Sequence, residues 1–172
     1  DDIYLTSASS LIGQTEGTLF VEVDWQLTSG ADQFILVASD GTNNNKMQIY
    51  NDSVSTELQM YARANSVDLS RQGETSSAYT GIQKIAFAYK TDDFELYRNG
   101  SSISTDTSGS LASLATLTDI DFGQSSGAGA QANMWIRAVA LFTTRLSDAE
   151  AYSLTGYDTY AQMANALQYT IL

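Results

Sequence analysis

The stretch from Gly81 to Thr105, GIQKIAFAYKTDDFELYRNGSSIST, limits what this chain can fold into more than any other. Ile85, Phe87 and Tyr89 alternate with Lys84, Ala86, Ala88 and Lys90, the period of a strand with one buried face. Asp92-Asp93 is expected to turn the chain. Phe94 to Arg98 reads as a second short strand, and Asn99-Gly100, which tolerates positive φ at both positions, suits a type I′ hairpin into a third strand near Ser101. Such an up-down-up unit is antiparallel, so the remaining strands must stack on or beside it.

Strand patterns recur along the chain. From Gly17, Leu19, Val21, Val23, Trp25 and Leu27 share one face, while Phe20, Glu22, Asp24 and Gln26 share the other. Ile3 to Leu5 reads as an edge strand, and Phe34 to Ala38 as a strand covered on both sides. Asp40 to Asn45 is a turn cluster, Arg71 to Thr80 reads as a loop, and Thr118 to Phe122 as a short strand. Gly123 to Ala130 is a Gly-Ser loop. Met134 to Phe142 is apolar on both faces apart from Arg137, as in a strand held between layers. Trp25 and Trp135 sit among apolar neighbours and are expected in the core. Ser147-Asp148-Ala149-Glu150 is a capping box, predicting a short helix to about Thr155 with Gly156 as its stop. A second helical segment is expected from Thr159 to Leu167, before Tyr169 to Leu172 closes the chain. About ten short strands with helix only near the C-terminus predict an all-β sandwich, and 172 residues suit one domain, residues 1–172.

Two neighbouring segments have the same parity. Met47 and Ile49 alternate with Lys46, Gln48 and Tyr50; Leu58, Met60 and Ala62 alternate with Glu57, Gln59, Tyr61 and Arg63. With the apolar set inward, Gln48, Tyr50, Gln59, Tyr61 and Arg63 form a platform on the opposite face. Sugar rings lay their C–H faces on aromatic rings while amides and guanidinium groups bond the hydroxyls, so the platform is a candidate carbohydrate site. The same tyrosines also suit a cross-strand pair that stabilises the sheet, or a contact between protomers.

Composition removes several chemistries. There is no histidine and no cysteine, which excludes Ser-His-Asp catalysis, thiolate chemistry and the usual zinc sites. Eight basic against twenty acidic residues leave a net charge of −12, which repels nucleic acid and anionic bilayers. No apolar run reaches membrane-spanning length. Asp1-Asp2-Ile3, without an initiator Met, is expected of a segment of a longer chain, its C-terminal part.

Three segments, SLIGQTEGTLFVEVDW (Ser10 to Trp25), KIAFAYKTDDFELYRNGSSISTDTSG (Lys84 to Gly109) and IRAVALFTTRLSDAEAYSLT (Ile136 to Thr155), resemble in that order the laminin-G-like, concanavalin A-like jelly-roll domains near the C-termini of bacteriophage tail proteins. The ending, YDTYAQMANALQYTIL, is similar to their closing segment. The resemblance implies a two-sheet antiparallel jelly-roll sandwich with a short C-terminal helical segment. It also implies a place on a tail fibre or spike outside the cell, as a homotrimer beside other virion proteins, binding host-surface polysaccharide. A structural module of the virion, using the same face between protomers, is the alternative.

Glu22-Val23-Asp24-Trp25-Gln26 is similar to the E-x-D-x-E strand of laminarinase-like glycoside hydrolases. Glu22 would match the nucleophile and Asp24 the assisting carboxylate. Gln26 stands where the acid/base belongs, and an amide cannot move the catalytic proton. No catalytic residue is therefore assigned, and a solvated strand face is the expectation. Asp92-Asp93, Asp119, Asp121, Asp40 and Asn43 to Asn45 offer oxygen ligands for calcium, which some laminin-G-like domains bind, but no recognisable calcium loop is present and no metal site is assigned.

Overall fold

The computed structural model describes residues 3–26, 31–75, 79–126 and 132–157, with residues 162 and 165 besides. The strands are, in order, β1 (Ile3–Leu5), β2 (Glu16–Trp25), β3 (Gln33–Ser39), β4 (Lys46–Asp52), β5 (Glu57–Ala64), β6 (Val67–Thr75), β7 (Gly81–Lys90), β8 (Asp93–Arg98), β9 (Ser101–Asp106), β10 (Asp119–Phe122) and β11 (Met134–Phe142), followed by the helix α1 (Asp148–Gly156). They form two antiparallel sheets, ordered β1-β10-β3-β4-β5-β6 and β11-β2-β7-β8-β9. The expected second helical segment and closing residues, Leu27 and half of the Gly-Ser loop (residues 127–130) lie outside the described residues, apart from Gln162 and Asn165, which are helical.

The meander forms β7, β8 and β9. Asn99 and Gly100 have φ of 48° and 77°, the two positive angles a type I′ turn needs. Lys90 pairs with Asp93, so the first turn is Thr91-Asp92, one residue earlier than expected. Between the sheets, β2 contributes Leu19, Val21, Val23 and Trp25 and β7 contributes Ile85, Phe87 and Tyr89. They meet Met47, Ile49, Leu58, Met60 and Ala62 of β4 and β5 in one apolar cluster. The Trp25 indole N–H donates to Gln33 Oε1 at 2.7 Å, satisfying the ring's one donor inside the core. A bulge between Phe34 and Leu36 turns both Ile35 and Leu36 inward, which explains the continuous apolar run of β3.

Phe20, on the other face of β2, lies in a second cluster with Ala86, Ala88, Tyr97, Leu146, Ala151 and Leu154. Here α1 packs on the outer face of the five-stranded sheet, and the alanines of β7 leave room for it. The capping box forms as expected: Glu150 N donates to Ser147 Oγ, and Ser147 N donates to Glu150 Oε2 at 2.8 Å. Arg145, just ahead of the helix, ties it to β8 through Asp93 (2.7 Å), Glu95 (3.3 Å) and Asp148 (3.2 Å).

Two expectations are corrected. Arg71 to Thr75 continues a strand, β6, rather than forming a loop; it is the edge of its sheet. β11 is an edge strand paired with β2, and from Ala138 to Phe142 it does lie between layers, with Val139 and Leu141 on the core and Ala138, Ala140 and Phe142 on the cluster under α1. Trp135 is not in the core: it is 76% exposed on that edge.

Candidate functional site

The outer face of the six-stranded sheet is built by strand alternation and register. Gln48 pairs with Tyr61, Tyr50 with Gln59 and Lys46 with Arg63 across β4 and β5. β3 adds Phe34 opposite Tyr50 and Val37 opposite Gln48, and β6 adds Arg71 opposite Tyr61 and Gly73 opposite Gln59. The five residues singled out from the sequence therefore share one face, with the apolar partners of both strands in the core. Lys46, Phe34 and Arg71 join them. Lys46 has the parity of Gln48 and Tyr50 and was legible on that ground; Arg71 was hidden because β6 read as a loop.

These side chains are wired to each other. Tyr50 stacks on Phe34 (ring centroids 5.6 Å apart, planes 12° apart) and meets Tyr61 edge-on at 6.1 Å. The Tyr50 hydroxyl donates to Gln59 Oε1 at 2.6 Å and accepts from Arg71 Nη2 at 2.7 Å. Gln59 Nε2 donates to Glu57 at 2.8 Å, and the Tyr61 hydroxyl donates to Asp68. The Arg71 guanidinium lies 5.0 Å from the Tyr61 ring centre, and Arg63 pairs with Asp68 at 3.5 Å. Gly73 leaves room for Gln59, since a Cβ there would lie 2.6 Å from Gln59 Cγ and 2.7 Å from the Leu58 carbonyl oxygen.

The wiring sets what a visitor meets. Gln48, Tyr50, Gln59 and Tyr61 are only 2, 2, 5 and 5% exposed, so the tyrosines do not offer open ring faces. They form a rigid floor. Arg63 and Arg71, with side chains 32 and 50% exposed, stand above it beside Asp52 and Asp68, and so present hydrogen-bonding groups in fixed positions. Burial pushes both phenols up to about 12, the Asp68 hydrogen bond adding to the shift at Tyr61, so they stay neutral donors.

Lys46 is the unusual member. It is buried, its Nζ donates to Asn43 Oδ1 at 3.1 Å and lies 5.5 and 5.9 Å from the Tyr61 and Phe34 ring centres, and no carboxylate is within ion-pair distance among the described residues. Burial, then the charges of Arg63 and Arg71, lower its pKa to about 8. Gln48 Oε1 is buried without a hydrogen-bond partner. An acceptor and an ammonium, both short of partners, mark this face as one with unspent polar capacity. Beside them Ser126 Oγ donates to Asn43 Oδ1 at 2.8 Å, bringing the β10–β11 loop against the Asp40–Asn45 turn.

The Glu22-x-Asp24-x-Gln26 strand lies elsewhere, on the outer face of the other sheet. Glu22 is ion-paired with Arg137 at 3.2 Å, and Asp24 is flanked by Trp135 and Ile82. Asp40 accepts from Thr42 N, Thr42 Oγ and Asn45 Nδ2, and Asp121 accepts from Gln124 Nε2 at 3.1 Å. Among the described residues no group of three His, Cys, Asp or Glu side chains is placed to hold a metal ion. None of the described helices is long and apolar enough to cross a membrane.

The fold is a two-sheet antiparallel jelly-roll sandwich. Among solved structures the chain is similar to the carbohydrate-binding module CBM40 of Ruminococcus gnavus IT-sialidase (15% identity, 91% of this chain and 97% of that one, TM-score 0.69), a module also solved bound to α2,3-sialyllactose. It is similar to the leech intramolecular trans-sialidase (17%, 93% of this chain, TM-score 0.68), of which it spans 27%, and to botulinum neurotoxin type C, whose cell entry depends on two ganglioside molecules (16%, 98% of this chain and 40% of that one, TM-score 0.70). No protein-family model and no curated protein matches the sequence.

Proposed function

We propose that this chain is a non-catalytic carbohydrate-binding domain that recognises host-surface glycan on a bacteriophage tail fibre or related appendage, outside the cell. The observation that carries the binding reading is the contrast between the two outer sheet faces. One is covered by α1 over Phe20, Ala86, Ala88 and Tyr97. The other keeps a fixed array of amide, phenol, guanidinium and ammonium groups with no helix or strand among the described residues laid over it. Sugar hydroxyls need this kind of mixed donor and acceptor surface, and preorganisation removes the ordering cost of binding. The structural neighbours include a module bound to a sialylated sugar, which supports a glycan partner.

Host attachment, a homotrimeric assembly and contact with other virion proteins follow the resemblance to phage tail domains. Several copies on one fibre would raise avidity for a weak single site without any new contact. The test is retention on immobilised host-surface polysaccharide. Arg71→Ala, which removes the exposed guanidinium, is expected to lower retention about tenfold, the scale of one charge-assisted bond. Release of reducing ends lost in Glu22→Gln would replace this reading with a hydrolytic one. A change of oligomeric state in Tyr61→Ala, with retention intact, would make the face a protomer contact.

A further inference from the structure

The two sandwich edges formed by β1 and β10 on one sheet and β11 on the other leave between them a cleft of about 460 Å³, lined by Ile3, Phe122, Met134, Ile136, Trp135 and Gln124, with Gly123 and Ala132. Its size suits a small ligand. Phe122, Met134 and Ile136 make an apolar floor that packs on the core. At the lip Trp135 and Ile3 stand 76 and 59% exposed. Large apolar side chains exposed together at the mouth of a cleft suit a ligand with an apolar face.

A second, independent feature points the same way. Gln124 is only 3% exposed. Its Nε2 donates to Asp121 Oδ1 at 3.1 Å, which leaves Oε1 as an acceptor, buried and without a hydrogen-bond partner among the described residues. Such an acceptor is satisfied by a donor inserted against the side chain, with a small rotation of the amide. The Ala132 N to Gly123 O bond of 2.7 Å ties the loop that carries Gln124 to the start of β11, so both walls are held together.

We infer that this edge cleft is a second sugar subsite, taking a neutral pyranose ring whose C–H face lies on Trp135 and whose hydroxyl donates to Gln124. The inference rests on the glycan-binding reading above. The chemistry selects the class. A hydrocarbon chain cannot satisfy Gln124. An anionic sugar finds no cation among the lining residues, since none is charged; the neighbouring Arg137 is paired with Glu22 at 3.2 Å, and the nearby Asp121 carboxylate opposes an anion within a chain of net charge −12. A neutral ring with outward hydroxyls meets both requirements, and it leaves the charged rim of Arg63 and Arg71 to a different part of the same glycan.

The experiment is a titration of the ¹⁵N-labelled chain with neutral glucose, galactose and N-acetylglucosamine oligosaccharides, with sialyllactose as the anionic counterpart. At least one neutral sugar is expected to shift the Trp135 indole and Gln124 side-chain resonances saturably, leaving the core Trp25 indole in place. Trp135→Ala, at an exposed position, should keep the fold and weaken that sugar about tenfold, while Trp135→Phe retains most of the affinity. Shifts confined to Gln48 and Gln59 overturn the cleft and leave the glycan-binding reading standing. If only sialyllactose moves Trp135, the neutral assignment is wrong. If Trp135→Ala instead dissolves an oligomer, the indole belongs to a protein contact. No shift with any sugar sinks both readings.

Discussion

The outer faces of the two sheets begin from the same period-two alternation and end differently. On β7 the outward positions include Ala86 and Ala88, small enough for α1 to seat Ala151 and Leu154, with Leu146 just ahead of the helix, against Phe20 and Tyr97. On β4 and β5 they are Lys46, Gln48, Tyr50, Gln59 and Tyr61, long side chains that fill the space themselves and bond one another. Side-chain volume, not polarity alone, decides here whether a sheet face takes a cover or stays open. The first face is held by burial, the second by hydrogen bonds, and substitutions should separate the two.

Phe20→Ala attacks the burial side and should have the largest effect. It deletes a fully buried ring between β2 and the helix, which typically costs about 3–5 kcal/mol. Guanidinium unfolding checks it, and a loss under 1 kcal/mol would mean that α1 contributes little. Tyr50→Phe attacks the hydrogen-bonded side while keeping the ring on Phe34. It leaves Gln59 Oε1 and Arg71 Nη2 without their hydroxyl partner, for a loss of about 1–3 kcal/mol. A neutral result would show that water replaces the hydroxyl and that the wiring carries no stability.

The pH dependence sharpens the same contrast through Lys46, which lies on the hydrogen-bonded face; the raised phenols are on both sides, since burial also pushes up Tyr79, Tyr89 and, under α1, Tyr97. Lys46 titrates near 8 in the fold and 10.5 when unfolded, so between these values the unfolded chain binds the extra proton. Stability therefore rises as pH goes from 8 toward 10, by about 1–2 kcal/mol since solvent still partly screens the ammonium. Tyr50 and Tyr61 have the opposite sign. Their folded values near 12 exceed the unfolded 10, so the unfolded chain loses protons first and stability falls above pH 10. Unfolding midpoints taken across this range should peak near pH 10, and Lys46→Met should remove the rising limb alone. A flat profile in the parent chain would show that Lys46 is not desolvated.

Most of the architecture was legible because its signals are local. The Asn99-Gly100 turn, the Ser147 capping box and the parity of β2, β4, β5 and β7 depend on neighbours within a few residues. β6 was not, because an edge strand with water at its side can be polar on both faces, and VDLSRQGET offers only Val67 and Leu69 as apolar positions. In β11 only Trp135 misled. Ala138, Ala140 and Phe142 are apolar on the outer face since they pack against the cluster under α1, a cover supplied by residues further along the chain. Trp135 lies on the same face as Asp24 and Ile82, outside that cluster, and so is exposed. For the candidate site, alternation gave the face but not its depth. How far Tyr50 and Tyr61 sink depends on Phe34, Arg71 and Asp68, which come from other strands or from a different turn of the chain.

The smallest expected effect isolates the helix cover without touching its apolar contacts. Ser147 accepts from Glu150 N, while Glu150 Oε2 accepts from Ser147 N, so both backbone amides at the start of α1 have partners. Ser147→Ala removes one half of the box and frees Glu150, whose carboxyl is held below its usual range first by the Ser147 hydroxyl. The cost should be about 1 kcal/mol. Helix fraying would also loosen Arg145, which spans Asp148 on the helix and Asp93 and Glu95 on β8. Hydrogen exchange should therefore quicken at α1 and at the β8 amides near Glu95, while β4 and β5 keep their protection. If β4 and β5 exchange faster as well, the two faces are not independent, and the rigidity of the hydrogen-bonded face depends on the helix behind the opposite sheet.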